Sequence, residues 1–336
     1  MPWSVLLGSL VSAACVSLII SQVHFSHLLA ALRSAHYLLL VSAVLMLGLT
    51  HLMRAWRWRY ILAPVKPIPL RRLLSATAIG LMANMLLPVH AGEVIRAYIL
   101  RRREGVGMLV SMATLLVECM ADLVSLLLIV VLLLVFSSVP MAQTPAVATR
   151  LKIGSSIAAF LCLVLVGNFW LLTTRTTQTL QCVRTRLAFL PPRWLGYFID
   201  TLTDFAVGLH ALTQGWQVGP ILVLSILQWF MVAINNAFIL QAFDLQLPLY
   251  ALFLLLIMEI LGVLIPSAPG FLGTYHAAVV AGLAVVGVPQ ERAISVAILM
   301  HAAFFFPAIL AGLAFLWQES LSLRDLWSVD TRHLEC

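Results

Sequence analysis

Two stretches of one design interrupt long apolar runs in this chain. Asn84-Met-Leu-Leu-Pro-Val-His-Ala-Gly-Glu-Val-Ile-Arg96 sets Pro88 four residues before Gly92, and Gly262-Val-Leu-Ile-Pro-Ser-Ala-Pro-Gly-Phe-Leu-Gly-Thr-Tyr-His276 sets Pro266 four before Gly270. Proline removes a backbone donor and glycine releases the restriction on φ, so each stretch breaks a helix inside a hydrophobic region. Broken helices at corresponding places in two halves of a membrane chain are a pointer to a transporter's binding site.

The surroundings of these breaks are a membrane. Of 336 residues 62% are hydrophobic and 10% charged, whereas a soluble domain is about half apolar. The net charge of +7 does not indicate nucleic acid, because the basic residues fall in short clusters between apolar runs, where they set orientation. The five cysteines, Cys15, Cys119, Cys162, Cys182 and Cys336, have no paired spacing, so neither a disulfide framework nor a metal site is expected. The start, Met1-Pro-Trp-Ser-Val, lacks a positive n-region, so residues 3–22 read as a retained span.

Runs long enough to cross a bilayer lie near 3–22, 37–59, 107–136, 153–173, 219–243 and 293–317, and the broken stretches lie in the further apolar regions 70–100 and 249–287. Basic clusters stand on both sides of the first broken region, at Arg54 to Arg72 and at Arg101 to Arg103. Positive-inside bias puts both clusters in the cytoplasm, which makes that region a re-entrant hairpin. The loop 137–149 is then outside, residues 176–215 hold an interfacial amphipathic segment, and the second hairpin enters from the outer face. The predicted fold is an all-α polytopic membrane protein with six full transmembrane helices plus two re-entrant helical hairpins in an inverted repeat. It is read as one domain over 1–320, with repeat halves near 37–136 and 219–317, a short tail at 321–336 and cytoplasmic termini. Pro69-Leu70 and Pro248-Leu249 open the two hairpin regions; Gly105-Val106 and Gly287-Val288 close them.

At these residues the chain resembles the flippase-like family known as the lysylphosphatidylglycerol synthase transmembrane domain. One signature, Asn-x-x-x-Pro-x-x-x-Gly-Glu-x-x-Arg, is matched by Asn84, Pro88, Gly92, Glu93 and Arg96; a second, Pro-x-x-Pro-Gly-x-x-Gly-Thr, by Pro266, Pro269, Gly270, Gly273 and Thr274. The chain departs from the family at Cys119, where Glu-Arg-x-x-Asp is usual, and at His301, where an arginine is often found. The resemblance implies a bacterial inner-membrane protein that moves or binds a lipid or a lipid-linked head group. With no aminoacyl-transferase domain in these residues, lipid aminoacylation is not expected.

Glu118 and Asp122 stand i, i+4 on one face of an apolar helix, where charge is costly and marks a pathway; the structural alternative is pairing with a hairpin arginine for packing. Arg96 is a candidate grip for phosphate, because guanidinium matches phosphate oxygens in a fork; pairing with Glu93 is its structural alternative. Asn84, Gly92 and Glu93 at one break, and Gly270, Gly273, Thr274 and Tyr275 at the other, sit where returning helices begin and exposed N–H groups favour anions. Glu259, with His276 and His301 as candidate partners, joins Glu118 and Asp122 as an intramembrane charge or proton path. Trp56 and Trp58, beside Arg57 and Arg59, read as an interface belt.

No hydrolytic triad, phosphate loop or metal-ligand pair is present in the sequence, so the expectation is a non-enzyme without a cofactor. The expected ligand is a membrane lipid or polyprenyl phosphate, and a homo-oligomer or a partner enzyme stays open. Two alternatives stand beside lipid translocation: a small-solute transporter, and a non-transporting subunit that presents lipid to an enzyme.

Overall fold

The computed structural model describes residues 35–87, 91–136, 218–265 and 267–321, with isolated positions between 15 and 185. The predicted spans at 3–22 and 153–173, the loop 137–149, the amphipathic segment, Pro88, Pro266 and the tail beyond 321 lie outside the described residues, apart from those isolated positions.

The described residues form eight α-helices and one 3-10 turn, with no strand among them. These are α1 Tyr37–Leu62, α2 Leu70–Leu86, α3 Gly92–Glu104, α4 Met108–Phe136, α5 Val218–Ala242, α6 Leu249–Leu264, the 3-10 turn Pro269–Phe271, α7 Thr274–Val285 and α8 Gln290–Gln318. Among them α1, α4, α5 and α8 are long and apolar enough to cross a membrane. Their 25 to 29 residues reach about 38–44 Å at 1.5 Å per residue, against a hydrocarbon core of about 30 Å. The four helices at the breaks hold only 12 to 17 residues, or about 18–26 Å. Neither broken region contains one continuous spanning rod.

The helix boundaries follow local chemistry. Pro69, Pro248 and Pro289 immediately precede α2, α6 and α8, where a missing N–H costs no helical bond. α3 ends into Gly105 at φ 69°, and α7 is followed by Gly287 at φ 79°, the left-handed geometry of a C-terminal cap. The landmarks that open and close the two broken regions in the sequence thus have matching structural roles.

Packing divides the chain into two compact units: Met1–Leu52, Ser75–Ile95 and Phe230–Cys336 in the first, Met53–Leu74 and Arg96–Trp229 in the second. In the first, α6 and α7 lie against each other in opposite directions. A Cβ on Gly262 would stand 2.9 Å from the Tyr275 Cα, and one on Gly282 3.0 Å from the Met258 side chain. Early α7 thus meets late α6, and late α7 meets earlier α6. α3 folds back on α2 in the same way at its start: a Cβ on Gly92 would lie 2.1 Å from the Gly80 carbonyl oxygen. The core of this unit gathers Ile239, Leu240, Leu255, Phe271, Tyr275, Val279, Leu283, Val296 and Met300, with Met85 from the end of α2.

In the second unit, Glu104 at the end of α3 is held from the segment that leads into and begins α2. Lys66 Nζ lies 3.3 Å from Glu104 Oε2, and Arg72 pairs with Oε1 of the same carboxylate.

Candidate functional site

In the second unit, α1 and α4 bring ionised side chains together in an apolar setting. Arg54 and Arg57 stand three residues apart on α1, and Glu118 and Asp122 four apart on α4, so each pair lies on one helical face. Arg54 Nε donates to Glu118 Oε1 at 2.6 Å. Arg57 Nη2 lies 3.1 Å from the same oxygen and donates to Asp122 Oδ2 at 2.9 Å, while its Nη1 pairs with Asp122 Oδ1. The second donor direction of Nη1 reaches Ser225 Oγ on α5 at 2.6 Å. Arg96, from α3, donates to Glu118 Oε2 at 3.0 Å.

Three guanidiniums therefore converge on two carboxylates. The side chains of Arg57, Arg96 and Glu118 are 0%, 2% and 2% exposed, whereas that of Arg54 is 24% exposed and marks the edge of the cluster. Ions at bilayer depth persist when paired and hydrogen-bonded, and the i, i+4 acidic pair meets that condition through arginines from other helices. Arg96 also lies over the ring of Trp58, 4.2 Å from its centroid, and the indole N–H donates to Thr114 Oγ1 at 3.0 Å. The interface-belt reading is corrected here. Trp58 and Arg57 are fully buried in the protein, and only Trp56 and Arg59 of that group face outward.

The first unit contains the two breaks. Gly92 N–H donates to Asn84 Oδ1 at 2.7 Å, so Asn84 caps the start of α3 and Glu93 occupies its first turn. Gly270 has φ 73°, a Cβ on it would stand 2.6 Å from Phe305, and the Met85 carbonyl oxygen lies 3.3 Å from the same point. Met85 is the penultimate residue of α2. The end of the first broken helix and the turn of the second therefore meet.

Histidines and a tyrosine support this junction. His301 Nε2 donates to the Gly270 carbonyl oxygen at 2.7 Å, and its ring stacks on Phe305 with centroids 5.3 Å apart. His276 Nδ1 accepts from Gly273 N–H at 3.4 Å and Thr274 Oγ1 donates to the Phe271 carbonyl, so the start of α7 is capped by its own side chains. Glu259 accepts from Asn236 Nδ2 at 3.2 Å and from the Tyr275 hydroxyl at 3.3 Å. Its direct partners are these two residues rather than the histidines, which lie behind Tyr275: the Tyr275 and His301 ring centroids are 5.3 Å apart and those of His276 and His301 4.6 Å.

The chain that carries these segments accords with a known family. A family model described as the lysylphosphatidylglycerol synthase TM region matches residues 5–312 of the 336. The chain belongs to that family. No curated protein and no solved structure matches it. As a lysylphosphatidylglycerol synthase TM-region protein it is a membrane protein of a family related to membrane lipid.

Membership places the two departures seen in the sequence. Cys119 is exposed on α4 beside the buried Glu118, so the cluster draws its arginines from α1 and α3. His301 is buried and supplies the donor that holds Gly270. The residues that sequence reasoning missed are Arg54, Arg57, Trp58, Ser225 and Asn236. Their signal was available in part: two arginines at i, i+3 inside one apolar run complement two acids at i, i+4 inside another.

Proposed function

We propose that this protein translocates a lipid-linked phosphate head group across the bacterial inner membrane without altering it chemically. The proposed topology has six full spans, two re-entrant hairpins entering from opposite faces, and cytoplasmic termini. Helix pairs too short for the bilayer, whose breaks meet at Met85 and Gly270, support the hairpins, because broken backbone at depth is tolerated where protein surrounds it.

The observation that carries the reading is the buried arginine cluster on α1, α3 and α4. Phosphate oxygens accept from guanidinium with the same bidentate geometry as a carboxylate. Arg54, the most exposed of the three, receives the phosphate first, and Arg96 joins as the head group displaces Glu118 from it. Asp122 and Ser225 keep Arg57 in place during the exchange. Family membership supplies the lipid side of the argument.

The test is transport in vesicles reconstituted with the whole protein, read with fluorescent phosphatidylglycerol and a labelled polyprenyl phosphate. The expected result is protein-dependent movement of at least one probe, slowed tenfold or more by Arg54→Gln and less by Arg54→Lys. Rates equal to those of empty vesicles for both probes would sink the reading.

A further inference from the structure

The two acidic centres described above are stabilised in opposite ways. Glu118 is met by three arginines. Among the described residues Glu259 accepts only from an amide and a phenol, and no Lys, Arg or His nitrogen of theirs lies within 4.0 Å of it. An ionised carboxylate in an apolar helix pair without a counter-ion is strongly disfavoured, and a neutral acid is not.

The neighbourhood suits the handling of a proton. The titratable group in contact with Glu259 is Tyr275 on α7, while α5 contributes the neutral Asn236; His276 on α7 and His301 on α8 stand behind Tyr275, one ring further on. Tyr275 hydrogen-bonds Glu259 on one side and lies against His301 on the other. Each imidazole commits one ring nitrogen to the broken segment, His301 to the Gly270 carbonyl and His276 to the Gly273 N–H. A proton moving along this row therefore passes beside the backbone of the break.

We propose that Glu259 is a proton-binding site that loads and releases one proton per transport cycle by way of Tyr275 and the His276–His301 pair. The arginine-bound Glu118 and Asp122 serve the head group. The transport part of this inference rests on the translocation reading above; the proton site itself does not. The balance is simple: one proton joins a carboxylate oxygen of Glu259, and the same proton leaves it.

Two measurements on the full chain in vesicles decide it. Infrared difference spectra between neutral and alkaline pH should show a protonated carboxyl band that is absent in Glu259→Gln and retained in Glu118→Gln. A band that survives Glu259→Gln overturns the site. Should Glu259→Gln fail to fold, the wild-type protein is treated with dicyclohexylcarbodiimide, which modifies protonated acids in apolar surroundings, and mapped by mass spectrometry. Absence of modification at Glu259 overturns the site equally.

The second measurement imposes a gradient of one pH unit and follows fluorescent phosphatidylglycerol. One proton per head group biases the probe's distribution by up to about tenfold, and Glu259→Gln should abolish that bias. Movement in the wild type that ignores the pH gradient, or follows a sodium gradient instead, overturns proton coupling and leaves translocation standing. No movement at all removes the translocation reading, while the infrared result still decides Glu259.

Discussion

The guanidinium of Arg96 lies 4.2 Å from the centre of the Trp58 ring. A cation over an indole face, away from water, gains about 2 kcal/mol, and the indole N–H adds a bond to Thr114 at 3.0 Å worth about 1 kcal/mol. Trp58→Phe keeps a ring under Arg96 and loses the N–H; Trp58→Leu loses both. Thermal unfolding in detergent should rank wild type above Trp58→Phe and Trp58→Phe above Trp58→Leu. Equal midpoints for the two variants would mean that the ring face contributes nothing.

Arg57 is fully buried and touches Asp122, Glu118 and Ser225. Its removal leaves Asp122 without its main counter-charge, and breaking a buried pair this way costs about 3–5 kcal/mol. Arg57→Met is expected to lower the yield of monodisperse protein sharply. Arg57→Met combined with Asp122→Leu should recover part of it, because the orphaned charge goes too. A double variant as poor as the single one, judged by size-exclusion profile, contradicts this account.

Two glycines near α3 are expected to differ widely. A Cβ at Gly92 would stand 2.1 Å from the Gly80 carbonyl oxygen and 2.5 Å from Asn84 Oδ1, so Gly92→Ala has to push α3 off α2. At Gly105 nothing lies within 4 Å, and only the positive φ of 69° is at stake, which costs about 1 kcal/mol. Protease susceptibility in native membranes should rise strongly in Gly92→Ala and little in Gly105→Ala.

His301 holds the Gly270 carbonyl at 2.7 Å inside the protein. His301→Phe fills similar space without a donor, and an unpaired buried carbonyl costs about 1–3 kcal/mol. His301→Gln, which keeps an N–H, should unfold at a higher temperature than His301→Phe. The reverse order would remove the histidine from the support of the break.

The helices and their interruptions were legible because their causes are local. Pro69, Pro248 and Pro289 stop a helix from beginning earlier, and Gly105 and Gly287 let one end in a left-handed turn. The predicted runs 37–59, 107–136, 219–243 and 293–317 became α1, α4, α5 and α8 with ends shifted by up to three residues. The i, i+4 pair Glu118 and Asp122 was also legible as a pair, since 3.6 residues per turn put both on one face. Their partners were not, because Arg54 and Arg57 lie 64 and 65 positions away along the chain, and periodicity names a face without naming what packs on it. Trp58 shows the same limit: beside arginines, an indole reads equally well as an interface anchor or as a buried platform for one of them.

By itself the amino-acid order determined a helical membrane chain with two breaks, because hydrophobicity and φ restriction act residue by residue. Only the tertiary structure decided that the three arginines bind Glu118, and that Glu259 rests on Asn236 and Tyr275 with no cation beside it among the described residues. The reason is one of range. Backbone preference acts over a few residues, whereas the state of a buried charge depends on whichever side chain from a distant helix arrives within about 3–4 Å.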